Sequence, residues 1–201
     1  MVLEKVTAFV ERTGALGREL LVFKHPTAGI QLPAGTVEPG EPVEKAVVRE
    51  VWEETGLQVR IVRKTGVEEK DAPKGCGYLY SGTLPARDAP RNEAIVSGSV
   101  LGRNLYHLGE RQDGFVHVHY QEFDLNRQPP ALLWEVESWV PENEITRGTR
   151  RHFFLVEPLQ VSPQAWDQPG DGGHTFQLFW ALFENLPKLI GEQNDWIKWL
   201  V

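Results

Sequence analysis

The 201-residue sequence predicts an α+β fold, a mixed β-sheet flanked by at least two helices, with an elaborated middle region. Three observations lead there. Many short segments alternate apolar and polar residues with the period of a strand. The segment from Pro42 to Thr55 switches to a helical period, and residues 186–201 read as a closing helix.

Each element can be read in order. "KVTAFVER" sets Val6, Ala8 and Val10 on one side of a first strand. Gly14 and Gly17 mark a turn, and "ELLVFKH" returns as the second strand of a hairpin. Pro26 and Gly29 interrupt the chain, "IQLPAGTVE" resumes it, and "PGEP" punctuates again. Val43, Val47 and Val51 then recur every four residues beside Ala46, an apolar stripe for the core. Pro42 suits the first helical position, and Gly56 suits the left-handed site just past the helix. "LQVRIVRKTGVEEK" resumes strand-like alternation. Residues 72–113 are rich in Gly and Pro, and "LPARDAPRNE" reads as loop. "GFVHVHYQEFDL", "ALLWEVESWVP", "RRHFFLVEP" and "HTFQLFWALF" read as four further strands. In the closing helix, Leu189, Trp196 and Leu200 form the inner face.

Composition narrows the function classes. A net charge of -7 argues against general nucleic-acid binding or attachment to an anionic membrane through a basic surface. A small anionic ligand remains compatible, because divalent cations reverse the local sign. The single cysteine, Cys76, leaves no internal disulfide and no cysteine-based zinc cluster. The N-terminal stretch mixes charge into its apolar residues too soon for a signal peptide, and no segment approaches the ~20 apolar residues of a membrane span. A cytoplasmic protein is the expectation.

The stretch "REVWEETG" carries the chemistry. On a helix, Glu50, Glu53 and Glu54 fall within an arc of ~100°, with the valine stripe roughly opposite Glu53 and Glu54. Arg49 lies one turn before Glu53 and can pair with it. Acidic runs of this kind are common on solvated helix faces, where mutual repulsion is mild. The same three carboxylates also form an oxygen-rich site for a hard cation such as Mg²⁺ or Mn²⁺. Spacing alone does not choose between the two.

The wider segment does. "GTVEPGEPVEKAVVREVWEETGL" resembles the signature of the Nudix hydrolase family, the Nudix box, from Gly35 to Leu57. Its specified positions are Gly35, Glu41, Arg49, Glu50, Glu53, Glu54 and Gly56, with aliphatic Val51 and Leu57. The resemblance implies an α/β/α sandwich and hydrolysis of a diphosphate joined to another group, often in a nucleoside diphosphate derivative. It assigns metal contacts to Glu50, Glu53 and Glu54, with Mg²⁺ the expected cofactor and Mn²⁺ the alternative, and it gives Arg49 the orienting of a glutamate. Gly35 ends a strand where its carbonyl can reach a cation. Glu41 at the helix start serves as a cap or an outer metal contact. Glu53 is the first candidate for the general base and Glu50 the second, while family members also use a glutamate outside the motif; Glu122 is the candidate there.

Other residues carry weaker signals. His117 and His119 share one strand face, where a structural role outweighs ligand contact. Lys24 and His25 stand where a phosphate can be met, or simply at the surface. Trp166, Trp180, Trp196 and Trp199 can stack a base, but core filling is the simpler reading. The specific substrate and its binding residues are not legible. One domain over residues 1–201 is expected, with residues 72–150 an insertion or elaboration that shapes the pocket or a homodimer interface; a second domain there is the alternative. A small-molecule diphosphate is the expected partner. A nucleotide-binding regulatory module without turnover is the competing function, and a purely structural protein is the more distant one.

Overall fold

A computed structural model describes residues 1–170 and 173–200. By its internal contacts the chain forms two compact units. The first comprises Met1–Leu3, Glu69–Asp124 and Pro129–Arg150; the second comprises Glu4–Glu68, Leu125–Gln128 and Arg151–Val201. Among the described residues the first unit has one buried core and the second has two. Strand dominates throughout, in mixed sheets with few helices.

The second unit is built on an eight-stranded sheet. Its strands are β1 (Leu3–Gly14), β2 (Gly17–His25), β3 (Gly29–Gln31), β4 (Ala34–Thr36), β5 (Val59–Asp71), β13 (Gly148–Pro158), β14 (Ala165–Pro169) and β15 (Thr175–Leu182). The order is β14-β15-β2-β1-β13-β5, with β3 on β2 and β4 on β1. β1 and β2 form the expected hairpin, closed by the pair Gly14–Gly17. Gly17 takes a φ of 131°, which a side chain would resist.

Alternation along β1 and β2 sends side chains to two separate cores. Val6, Ala8 and Val10 of β1, with Leu21 and Phe23 of β2, pack with Ala46, Val47 and Val51 of the helix α1 (Val43–Thr55). Phe9, Leu20 and Val22 point the other way and meet Leu189, Trp196 and Leu200 of the C-terminal segment. Helix α1 ends where the sequence predicts, with Gly56 at a φ of 70° and its amide donating to the Trp52 carbonyl. The Trp166 indole of β14 donates to the Thr55 carbonyl at 3.0 Å, tying down the last turn of the helix.

Several local expectations need correction. Pro42 is the N-cap of α1, extended at φ -64° and ψ 139°, and not its first helical residue. The closing helix shrinks to α2 (Gln193–Trp196) and one 3-10 turn. In its first half Asn194 bonds both the amide and the carbonyl of Leu189, the Ile190 amide donates to the Ile30 carbonyl at 2.8 Å, and Gln193 accepts from the Leu32 amide at 2.7 Å. The inner face Leu189, Trp196 and Leu200 is nonetheless buried as expected. β14 has no counterpart in the sequence reading.

The first unit holds a seven-stranded sheet ordered β12-β6-β9-β10-β11-β7-β8. These strands are β6 (Cys76–Leu79), β7 (Leu84–Arg87), β8 (Val96–Val100), β9 (Leu105–Gln112), β10 (Phe115–Asp124), β11 (Ala131–Pro141) and β12 (Ile145–Thr146). Leu79, Tyr106, Val116, Val118 and Val140 are among its buried residues. "LPAR", read as loop, is β7. Its Arg87 pairs with Trp139 and donates its amide to the Ser138 hydroxyl at 2.9 Å, a partner that local sequence does not reveal.

Candidate active site

The apolar stripe of α1 fixes which way its other face points. With Ala46, Val47 and Val51 buried in the core, Glu50, Glu53 and Glu54 line a small cavity of about 50 Å³ together with Phe176 of β15. The structure therefore brings together the three carboxylates singled out in the sequence.

Arg49 organises them. Its Nε and Nη2 donate to the two oxygens of Glu41, each at 2.9 Å, a two-pronged bond that fixes the guanidinium plane. Its Nη1 donates to Glu50 Oε1 at 3.0 Å and to Glu53 Oε2 at 2.9 Å, while Nη2 also reaches the Thr36 carbonyl at 3.1 Å. The pairing with Glu53 is the one the helix spacing predicts. The Glu41 bond was not foreseen; Glu41 also accepts from the Glu38 amide, and no side chain caps the helix. Hydrogen bonding to Glu41, and next the charge of Glu50 working against burial, holds Arg49 above its ordinary pKa, so it stays charged.

Strand β4 supplies the other side. The Thr36 amide donates to Glu50 Oε1 at 3.1 Å, and the Ala34 amide to Glu54 Oε2 at 2.9 Å. Gly35 lies between these two donors. A Cβ there would overlap the Glu50 carboxylate, so glycine leaves that carboxylate its place against β4. Burial pushes the Glu50 pKa up, helped by the Glu53 charge and opposed by Arg49 and the Thr36 amide. Glu53 is the most open of the group, with 45% of its side chain exposed against 14% for Glu50.

Among the described residues no three acidic, histidine or cysteine side chains already surround one point at metal-binding separation. Arg49 and the two β4 amides hold the carboxylates instead. Their chemistry still fits a hard divalent cation. Three carboxylates line one cavity, and the buried Glu50 carries a cost of ionisation that a neighbouring cation removes.

The remaining candidates separate. Strand alternation sets His25 on the α1 side of β2 with Phe23, its ring 5.3 Å from Phe176, whereas Lys24 points to the opposite face. His25 Nδ1 accepts from the Thr27 amide at 3.2 Å, and His174 lies 5.0 Å away, ring to ring. Phe176 and His174 were missed, having no motif to mark them. Trp180 and Trp196 are buried in the two cores of the second unit, with Trp166 and Trp199 packed against them. Glu122, His117 and His119 all lie on β10 of the first unit. There His119 bonds Glu135 at 2.7 Å and His117 stands edge-on to Trp139.

Residues 4–97 match the model of the NUDIX domain. Over 79 residues the chain is 36% identical to a Bacillus subtilis (strain 168) protein provisionally named an 8-oxo-dGTP diphosphatase, covering 39% of this chain and 53% of the relative. A MutT-like protein of Streptomyces ambofaciens is 43% identical over 78 residues, 39% of this chain and 50% of its own length. A Chromobacterium violaceum protein named NAD-capped RNA hydrolase NudC is 48% identical over 50 residues, 23% of this chain and 19% of the relative. The chain thus spans about half the length of the first two curated relatives it matches.

Proposed function

We propose that the protein, whose residues 4–97 match the NUDIX domain model, is a divalent-cation-dependent hydrolase that cleaves the diphosphate linkage of a nucleoside diphosphate derivative or a related diphosphate. The observation that carries this reading is the convergence of Glu50, Glu53 and Glu54 on one cavity beside the glycine-lined edge of β4.

Glu50, Glu53 and Glu54, with the Gly35 carbonyl, would hold Mg²⁺ or Mn²⁺. When bound, such a cation neutralises phosphate charge and lowers the pKa of an attached water. The chain's own residues do the rest. Arg49 fixes Glu50 and Glu53 by donating to one oxygen of each, and its bond to Glu41 keeps it from swinging away. Glu53, the most exposed carboxylate, takes the proton of the attacking water, with Glu50 the second candidate. His25 stands beside the cavity wall at Phe176, which supports a contact with a substrate phosphate.

The same reading makes the second unit a sandwich of α1, the sheet and the C-terminal segment, with residues 72–150 an elaboration of one functional domain. Among the described residues no helix is long and apolar enough to cross a membrane, which is compatible with a cytoplasmic enzyme acting on small molecules. A homodimer belongs to the proposal as well and is checked by light scattering.

The test is turnover by the purified chain with Mg²⁺ on nucleoside diphosphate sugars, dinucleoside polyphosphates, oxidised nucleotides and coenzymes. Phosphorylated products are expected from at least one class. Glu53→Gln should lower kcat by ~10²–10⁴-fold with the fold intact. Tight binding without turnover across the panel would favour a regulatory module, and an undiminished rate in the variant would remove Glu53 from the mechanism.

A further inference from the structure

A cavity of about 480 Å³ in the first unit shares no residue with the chemistry above. Three cationic side chains, Lys74, Arg111 and Arg147, line it against one acid, Asp71, in a chain whose net charge is -7. Arg111 is committed in part, its Nε donating to Glu142 at 2.8 Å. Lys74 and Arg147 form no ion pair among the described residues. Two cations are therefore gathered at one concavity without an acidic side chain bonded to either.

The frame around them is firm. The Ala72 amide donates to the Arg147 carbonyl at 2.7 Å, the Cys76 amide to the Pro73 carbonyl at 2.9 Å, and the Leu108 amide to the Gly75 carbonyl at 2.8 Å. The first and third of these bonds hold the turn that carries Lys74 against Arg147 and β9, and the second closes the turn itself. Gly75, at a φ of 78°, allows the turn to be that tight. Donors whose backbones are already fixed lose little freedom on binding an anion. A guanidinium and an ammonium together suit a phosphate group, the first by paired bonds and the second as a point charge. The volume falls in the range of small-molecule sites and has room for a nucleoside beyond the phosphates, with the Leu108 side chain as apolar wall.

We propose that this cavity is a binding site for a phosphate-bearing anion of nucleotide size, held by Arg147 and Lys74 with Arg111 in support. It is independent of the hydrolase reading, because it uses none of the residues of the Nudix box.

The experiment is calorimetric titration of the full chain with pyrophosphate, ADP and adenosine, in EDTA so that no cation-mediated binding contributes, joined to amide NMR mapping on the wild type. ADP should bind and pyrophosphate more weakly, with shifts concentrated at Lys74, Gly75, Arg111 and Arg147. Arg147→Ala and Lys74→Ala should each weaken ADP by about tenfold or more, while Arg60→Ala, which removes an exposed cation of the second unit, leaves the affinity unchanged. Absence of binding at millimolar ADP, shifts elsewhere on the chain, or equal affinity for adenosine would each overturn the proposal. Failure of turnover in the hydrolase assay would leave it standing.

Discussion

At the scale of single residues, Gly35 shows how the absence of a side chain positions one. The Glu50 carboxylate occupies the space a Cβ would fill, where it accepts from the Thr36 amide and from Arg49. Gly35→Ala therefore displaces Glu50 by about the width of a methyl group, and misplacement of that size costs on the order of 10²-fold in turnover. The double variant Gly35→Ala, Glu50→Gln should lose little more than Glu50→Gln alone, since both act through one carboxylate. Fully additive losses in kcat would mean that Gly35 serves the site in another way. A second residue-level outcome concerns Glu135 on β11, whose carboxyl is held below its ordinary 4.5, first by hydrogen bonding to His119 and then to Gln121. A depressed acid contributes stability that is present above its ordinary range and lost as pH falls through its lower folded-state value. In His119→Ala the Glu135 midpoint should rise toward 4.5, read by carbon NMR of the side-chain carboxyl. A midpoint that does not move would remove His119 as the cause.

At the scale of elements, α1 shows what the sequence makes legible and what it does not. Its period, its valine stripe and its terminating glycine are local properties, and they mark the helix to within one residue at its start. The acidic face was legible for the same reason: helix geometry converts spacing in sequence into direction in space. The partners of that face were not. Phe176 lies more than a hundred residues away on β15, and the bonds from Ala34 and Thr36 depend on how β4 docks on β1. β7 and β14 escaped notice because each is short and owes its strand character to a distant neighbour. The closing helix was over-read because apolar spacing took no account of Asn194 and Gln193 turning their side chains back to the chain. The C-terminus of α1 offers a test at this scale. Gly56 combines a φ of 70° with a Cβ position 2.8 Å from Gln168 Oε1. Gly56→Ala should cost about 1–2 kcal/mol in urea unfolding, from left-handed backbone strain in a residue with a Cβ. A cost near zero would mean that the helix end relaxes without penalty.

At the scale of the whole molecule, two compact units with no buried cluster in common raise the question of how far the chain unfolds as one. The sequence suggests a single domain with an elaboration at residues 72–150, and the first unit takes Glu69–Asp124 and Pro129–Arg150 together with Met1–Leu3. Its core is made by Leu79, Tyr106, Val116, Val118 and Val140, none of which contributes to the clusters around α1 or the C-terminal segment. Packing cost is local where cores do not share side chains, because a cavity removes contacts only from the atoms that lined it. Leu79, fully buried, is the place to make one. Leu79→Ala should destabilise the first unit by about 2–5 kcal/mol. If the units open separately, native-state hydrogen exchange will lose protection at the amides of β6, β9, β10 and β11, while those of β1, β2 and β15 keep theirs. An equal loss across both sets would show one cooperative unit, and the first core would then contribute to the stability of the carboxylate site. The local outcome is expected, and with it a cluster of carboxylates whose strands and helix are held by the cores of the second unit alone.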